Sequence, residues 1–238
     1  MLIKSAKLYL IPTTLGDNDP SAVLPITVRN TILELDNFIV ENEKTARRFI
    51  KKVCPEKNQQ ALKFSLIDKH TAATAYESYL NCCEEGISVG VLSEAGVPAI
   101  ADPGSEIVKL AHRKNIKVVP LVGPSSILLA LMSSGFNGQN FAFNGYLPID
   151  TNERKSKIKQ LERLSKENNQ AQLFIETPYR NNKLLIDLIT ALMPSTNLCV
   201  AVDLTLESEL IISTTVKEWK NKKVDFHKRP AIFIIQQD

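Results

Sequence analysis

The chain has 238 residues, enough for one large domain or two modest ones with separate cores. Apolar residues make up 44% and charged residues 23%, an ordinary globular composition, and no window approaches eighteen consecutive apolar residues, which excludes a membrane-spanning helix. The net charge of +3 is too small to identify a polyanionic partner by itself.

The N-terminal "MLIKSAKLYLIPTT" has no small-residue cleavage site and reads as the first strand of a cytosolic protein. Strand-like and helix-like segments then alternate. "KLYLIPT" predicts a strand, "TVRNTILELD" a helix, "NFIVE" a strand, "EKTARRFIKKV" a helix and "LKFSLID" a strand. "TAATAYESYLNCCEEG" predicts a helix closed by Gly86, "ISVGVLS" a strand, "SEIVKLAHRKN" a helix and "IKVVPLV" a strand. Apolar strands alternating with helices predict a parallel sheet covered on both faces.

Beyond "PLVGPSS" the pattern changes. A helix "SSILLALMSSG" precedes "FAFNGYLP", a charged helix over 152–166, a strand "QLFIET" and a helix "RNNKLLIDLITALM". "NLCVAVDLT", "SELIISTT" and "AIFIIQQ" lie close enough together for antiparallel pairing. The fold class is therefore α/β in two domains: a parallel-sheet domain over 1–121 and a mixed-sheet domain over 122–238.

Cys54, Cys82, Cys83 and Cys199 show no C-x-x-C spacing, and His70, His112 and His227 are far apart, so neither a metal site nor a disulfide framework is expected. Basic residues gather in three stretches, Lys44 to Lys52, Glu153 to Lys166 and Lys217 to Arg229. On a helix Arg47, Arg48, Lys51 and Lys52 share one side and could meet phosphates; each stretch alone also reads as a solvated face.

Eight of the nine glycines lie between Gly86 and Gly145. Glycine permits positive φ and close backbone approach, and in open α/β sheets ligands bind outside the carboxyl ends of strands at a switch point. "SEAGVPAIADPG" and "VGPSS" both leave such strand ends. No G-x-G-x-x-G or G-x-x-x-x-G-K-[ST] occurs, which argues against a Rossmann dehydrogenase, a P-loop NTPase or a glycine-rich Rossmann methyltransferase. The two proline-braced loops could instead grip a small polar cofactor, with Val97, Ala99 and Ile100 lining its apolar parts.

"KLYLIPTTLGD", "FIVENEKTARR", "VGVLSEAGVPAIADPGSEIVKLA", "VVPLVGPSSILLALMSSG", "FAFNGYLP" and "LFIETPYRNNKLL" stand in the order and spacing of the tetrapyrrole methylase superfamily. More narrowly the chain resembles its ribosomal RNA small subunit methyltransferase I branch. The resemblance implies S-adenosylmethionine in a cleft between two α/β domains, a homodimer, cytoplasmic location, no metal, and a cytidine ribose 2′-hydroxyl of ribosomal RNA, free or in the small subunit, as methyl acceptor. It puts Pro12 at the cleft floor, Glu94, Gly96, Val97 and Ile100 around the cofactor, and Ser125 and Ser126 on it at the second loop. Phe174, Ile175, Glu176 and Tyr179 would cover it, and Ala201, Val202, Pro230 and Ala231 would close the adenine side.

The departures fall mostly on the substrate side. Asn42-Glu43-Lys44 stands where relatives usually have aspartate-threonine-arginine, and "IDKHT" (67–71) where they have a histidine-rich segment. The first loop reads "TTLGD" in place of "TPIGN", and Glu94 replaces an aspartate one methylene shorter. Candidates for the base or for orienting the substrate are Glu41, Lys44, Asp102 and Arg180. Asp102 also reads as a turn or helix cap, Lys44 as an exposed first-turn residue, and Arg180 as a partner of either a phosphate or a carboxylate. A methylase of a precorrin- or uroporphyrinogen-type tetrapyrrole and a catalytically silent RNA- or cofactor-binding paralogue are the other two readings.

Overall fold

The structure, a computed structural model, describes residues 6–67 and 73–237. Much of the "IDKHT" segment lies outside the described residues. The chain divides into two compact units, Met1–Ser125 and Ser126–Asp238.

Among the described residues the first unit has five strands: β1 (Lys7–Ile11), β2 (Asn37–Val40), β3 (Lys63–Leu66), β4 (Val89–Leu92) and β5 (Lys117–Pro120). They form one parallel sheet in the order β3-β2-β4-β1-β5. Three α-helices connect them: α1 (Ile26–Glu34) leads to β2, α2 (Glu43–Val53) to β3 and α3 (Gly104–Arg113) to β5. The chain steps one way across the sheet from β1 to β2 to β3, then back the other way from β3 to β4 to β5. Right-handed crossovers therefore put α1 and α2 on one face and the later helices on the other.

The burial follows that geometry. Val28, Ile32, Ala46 and Ile50 pack with Ile11, Phe38, Val40 and Leu92 on one face. Ile107, Leu110, Tyr76 and Leu80 pack with Leu8, Ile39, Val89 and Val91 on the other. Both faces are covered at the centre of the sheet, which is why β4 is apolar and buried at every position, while the outer strands β3 and β5 are only part-buried and carry Lys63, Ser65 and Lys117.

One element differs in kind from its prediction. Ala73–Glu85, read from the sequence as an ordinary helix, is a 3₁₀ helix. Its three-residue period puts Tyr76, Tyr79 and Cys82 in one row and Leu80 and Cys83 in another, and all five touch the same core cluster. Tyr76 and Tyr79 meet with ring centroids 5.5 Å apart.

The second unit has the sheet β6 (Phe141–Tyr146), β7 (Ala171–Ile175), β10 (Ala231–Gln236), β8 (Asn197–Val202) and β9 (Leu210–Thr215), in that spatial order. β6 and β7 are parallel, joined by α5 (Thr151–Asn168); the other pairings are antiparallel, as the spacing of the last three strands suggested. α6 (Asn181–Ala191) and α7 (Val216–Trp219) join α5 over a core holding Phe174, Val200, Val202, Phe233, Trp219 and Phe226. α4 (Ser126–Ser134) packs on β8, β9 and β10. α5 outruns its predicted span because both ends are capped: Asp150 accepts the Asn152 and Glu153 N–H groups, and Asn169 ends the helix at φ 46°.

All four cysteines are free thiols. Burial pushes Cys83 up to about 12 and Cys199 up to about 11, which leaves both un-ionised at neutral pH and chemically quiet.

Candidate functional site

In the first unit β1 and β4 are neighbours, yet the chain leaves their carboxyl ends toward opposite faces. This is the switch point of the sheet, where an open α/β sheet has a crevice. Three loops meet there: Pro12–Gly16 after β1, Ser93–Pro103 after β4 and Leu121–Ser125 after β5.

The loops are fastened by backbone. The Gly96 carbonyl accepts from the Thr13 N–H at 2.9 Å and from the Ser93 hydroxyl at 2.6 Å. Gly96 itself has φ +74°, and a Cβ there would stand 2.9 Å from Leu15 Cδ2 and 3.0 Å from the Pro124 carbonyl oxygen. A Cβ at Gly123 would stand 2.3 Å from both Pro12 Cβ and Pro12 Cγ. Only glycine lets these loops approach so closely.

Ala99 and Ala101 have φ of 67° and 61°, a left-handed backbone that costs on the order of 1 kcal/mol or more per non-glycine residue. Asp102 holds this bend, its Oδ1 accepting from the Ala99 and Gly104 N–H groups, each at 2.8 Å. The structure thus gives Asp102 the turn-bracing part of its sequence reading. Its carboxyl is raised above the ordinary range, chiefly by burial and against the pull of those two N–H groups.

Glu41 follows β2 directly and lies near two more carboxylates. The residue is exposed to solvent, but partial desolvation on the protein side raises its pKa first, and the charges of Asp102 and Glu94 raise it further, while a hydrogen bond from the Glu94 N–H works the other way. Glu94 in turn accepts from the Thr45 hydroxyl of α2 at 2.6 Å. Lys44 is exposed in the first turn of α2, its N–H accepted by the Asn42 side chain. Ile100 is exposed and Val97 half-buried, so the loop offers an apolar wall. Thr13 is buried at the crevice, and its hydroxyl oxygen has no hydrogen-bond partner among the described residues, so a polar ligand atom could pair with it.

The predicted residues of the second unit gather at one end of its three interior strands. The ends of β7 and β8 meet the start of β10 there, with Ile232 paired to Ile175 and Ala231 to Val202. Phe174, Val202 and Ala231 point into the helix-covered core, so they have only backbone to offer a ligand. Glu176 is buried and accepts from Arg180 at 2.6 and 3.0 Å, so the carboxylate partner of Arg180 lies four residues away in its own unit. Tyr179 is exposed, edge-on to His227 and beneath Lys228. Pro230 accepts the Asp203 N–H, and Asp203 is bound by Arg229 at 2.7 Å. Ser125 closes the first unit, and Ser126 is the first residue of α4.

In two of the three basic stretches some of the cations are already engaged within the fold, while Lys44, Arg48, Lys159 and Lys166 stay exposed. On α2, Arg47 binds Glu43 and the Gln59 carbonyl and covers Phe64; Lys51 binds the Pro55 carbonyl and Lys52 binds Asp17. On α5, Arg154 is buried in a fork with Asp187 at 2.6 and 2.8 Å. In the third stretch Lys217, Lys220, Lys222 and Lys223 are exposed. Sequence reasoning missed Thr13, Ser93 and Thr45 at the crevice; the first two lie within loops it singled out, whereas nothing near Thr45 signals a contact 49 residues away.

A parallel switch-point sheet followed by a mixed sheet defines a class of two-unit α/β enzymes, and the comparisons narrow it. The model for "Tetrapyrrole (Corrin/Porphyrin) Methylases" matches residues 7–220, and the chain belongs to this family. A relative from Vibrio cholerae named ribosomal RNA small subunit methyltransferase I is 30% identical over 86% of this chain and 67% of its own length. Relatives of the same name from Escherichia coli O157:H7 and Bacillus subtilis are 26% and 29% identical over 97% and 90% of this chain, and 77% and 70% of their own. Two solved structures share the fold: the methyltransferase CobJ (TM-score 0.65, 13% identity, 98% of this chain and 95% of that one) and cobalt precorrin-4 methyltransferase CbiF (0.59, 16%, 97% and 94%). The chain is a methyltransferase, and its methyl donor is S-adenosylmethionine. That donor suits the crevice, since it has polar groups for the orphaned Thr13 hydroxyl, apolar surface for Ile100 and Val97, and positive charge for the carboxylates.

No helix among the described residues is long and apolar enough to cross a membrane, and no three of their His, Cys, Asp or Glu side chains are grouped to hold a metal ion.

Proposed function

We propose that this chain methylates the 2′-hydroxyl of a cytidine ribose in small-subunit ribosomal RNA, in the cytoplasm and as a homodimer. The observation that carries the methyl-transfer site is the glycine-fastened crevice between β1 and β4, with its unpartnered Thr13 hydroxyl and its adjoining carboxylates. The RNA reading rests on the relatives' names and on the run of similarity across nearly the whole chain. The similarity to cobalamin-pathway enzymes, at 13% and 16% identity, supports the fold alone. Leu128 and Met132, exposed one turn apart on α4, support a second copy as partner.

In this reading Gly96, Val97, Ile100 and Thr13 hold the cofactor with Glu94, and Ser125 and Ser126 contribute from the loop after β5. Pro12 forms the floor against which Gly123 closes. The family resemblance assigns cofactor binding in the second unit to Ile175, Glu176, Tyr179, Ala201 and Pro230, with the backbone of Phe174, Val202 and Ala231. S-adenosylmethionine supplies a methyl group already activated on a positively charged sulfur. The chain's own work is alignment, which supplies about 7–11 kcal/mol at best, and removal of the ribose proton, worth about 10²–10⁴-fold.

Glu41 takes that proton, because partial desolvation and its carboxylate neighbours make it a stronger base than an ordinary glutamate. Asp102 fixes the loop, Lys44 meets the RNA backbone beside Glu41, and Arg180 keeps the buried Glu176 neutralised.

The test is a map of ribose methylation in ribosomal RNA from cells with and without the gene. One cytidine is expected to lose its methyl group; an unchanged map sinks the substrate assignment. A porphyrinoid binding assay on the same protein separates the corrin reading. Exposed Lys220, Lys222 and Lys223 supply RNA phosphate contacts, so replacing all three by alanine is expected to reduce the slope of log K against log salt by about two, read by filter binding.

A further inference from the structure

We infer that Thr45 is a positioning residue, which acts by clasping Glu94 and so presets the loop after β4 for its cofactor. The inference rests on the proposed placement of that loop against S-adenosylmethionine. The clasp joins two segments far apart in sequence. The Thr45 hydroxyl donates to Glu94 Oε1 at 2.6 Å, and the Glu94 N–H is accepted by the carboxylate of Glu41. Side chain and backbone of Glu94 are thus both tied to the β2–α2 segment, in addition to the Ser93 and Thr13 ties at Gly96.

The local structure explains why Thr45 can do this. It is the third residue of α2, and its own N–H is accepted by Asn42 Oδ1, which fixes the backbone of the first turn. Its hydroxyl has one proton and two acceptors in reach, the Asn42 carbonyl at 3.0 Å and Glu94 at 2.6 Å. The charged, closer acceptor takes it. Glutamate has three rotatable bonds, so an unheld Glu94 would be ordered only at binding, at a cost in affinity. Its length is also what reaches α2. Aspartate withdraws the carboxylate by roughly 1.5 Å, beyond hydrogen-bonding distance from Thr45.

The test is a double-substitution cycle on the full chain, with S-adenosylmethionine as the titrant in calorimetry and urea unfolding of the ligand-free protein as a second readout. Thr45→Val is expected to weaken binding about threefold to tenfold, and Thr45→Ser to restore it. Glu94→Asp is expected to weaken binding as well, and Thr45→Val added to Glu94→Asp to bring no further loss, because the contact is already gone. In unfolding the two substitutions are expected to be non-additive in the same way. Multiplicative losses in the cycle, or full affinity in Thr45→Val, would overturn the clasp while leaving the cofactor assignment standing. A wild-type chain that binds no S-adenosylmethionine would overturn the cofactor site and the positioning role together, whatever the unfolding cycle returns.

Discussion

Glu41→Gln is expected to lower turnover at least tenfold while raising the melting temperature at neutral pH by a small amount, since solvent screens an exposed carboxylate. The two effects have one cause. Partial desolvation and the charges of Asp102 and Glu94 lift the Glu41 pKa above its value in an unfolded chain, so the folded protein holds that proton more tightly. Through the window between the two values the unfolded state loses its proton first, and stability falls as pH rises. Above the window the charged carboxylate is a fixed cost, which glutamine removes. Glutamine keeps an acceptor for the Glu94 N–H, so cofactor affinity is expected to hold.

The rate follows the opposite sign, because the base works only when ionised. Wild-type turnover is expected to fall as pH drops through the raised Glu41 pKa, and Glu94→Gln to move that inflection toward lower pH by deleting one of the charges that raise it. Turnover and thermal melts from the same preparations decide the matter. Unchanged turnover in Glu41→Gln removes Glu41 from the reaction, and a lower melting temperature contradicts the account of a partly desolvated carboxylate beside two others.

Such a carboxylate could be picked from sequence because it follows a strand; its electrostatics could not. The alternation of the first unit was legible since strands covered on both faces are mostly apolar, as in β4, and helices between parallel strands must cross over. The kind of helix at Ala73–Glu85 was not, because a row of apolar residues fits a period of 3.0 or 3.6 over so short a run. The crevice loops were legible through their glycines and prolines, which act within a few residues. What closes the site is non-local: Thr45 reaches Glu94, Gly123 meets Pro12, and Thr13 is left with an unmatched hydroxyl. The same distance blindness misreads Arg47 and Arg154. Their charges point to phosphate until the fold brings the Gln59 carbonyl and Asp187 alongside.

Gly123→Ala is expected to cost about 3 kcal/mol, at the upper end for an overpacked site, and to weaken cofactor binding with it. The new Cβ would lie 2.3 Å from two atoms of the Pro12 ring, and a pyrrolidine ring has no rotamer by which to withdraw. The clash is steric, so the loop after β5 or the loop after β1 must move. Movement of Pro12 carries Thr13 with it, and the Thr13 N–H is one of the two donors that hold the Gly96 carbonyl. A methyl group beside the floor is thus transmitted to the cofactor loop, and the melting temperature is expected to fall by roughly 5–10 °C. Gly138→Ala is the control, since nothing lies within 4 Å of its added Cβ. Combining Gly123→Ala with Pro12→Gly removes both clashing atoms and is expected to recover most of the lost stability, a coupling between sites 111 residues apart in sequence that only direct contact predicts. If Gly123→Ala melts like wild type, or if Pro12→Gly fails to suppress it, the close packing of these two loops is not what holds the crevice together.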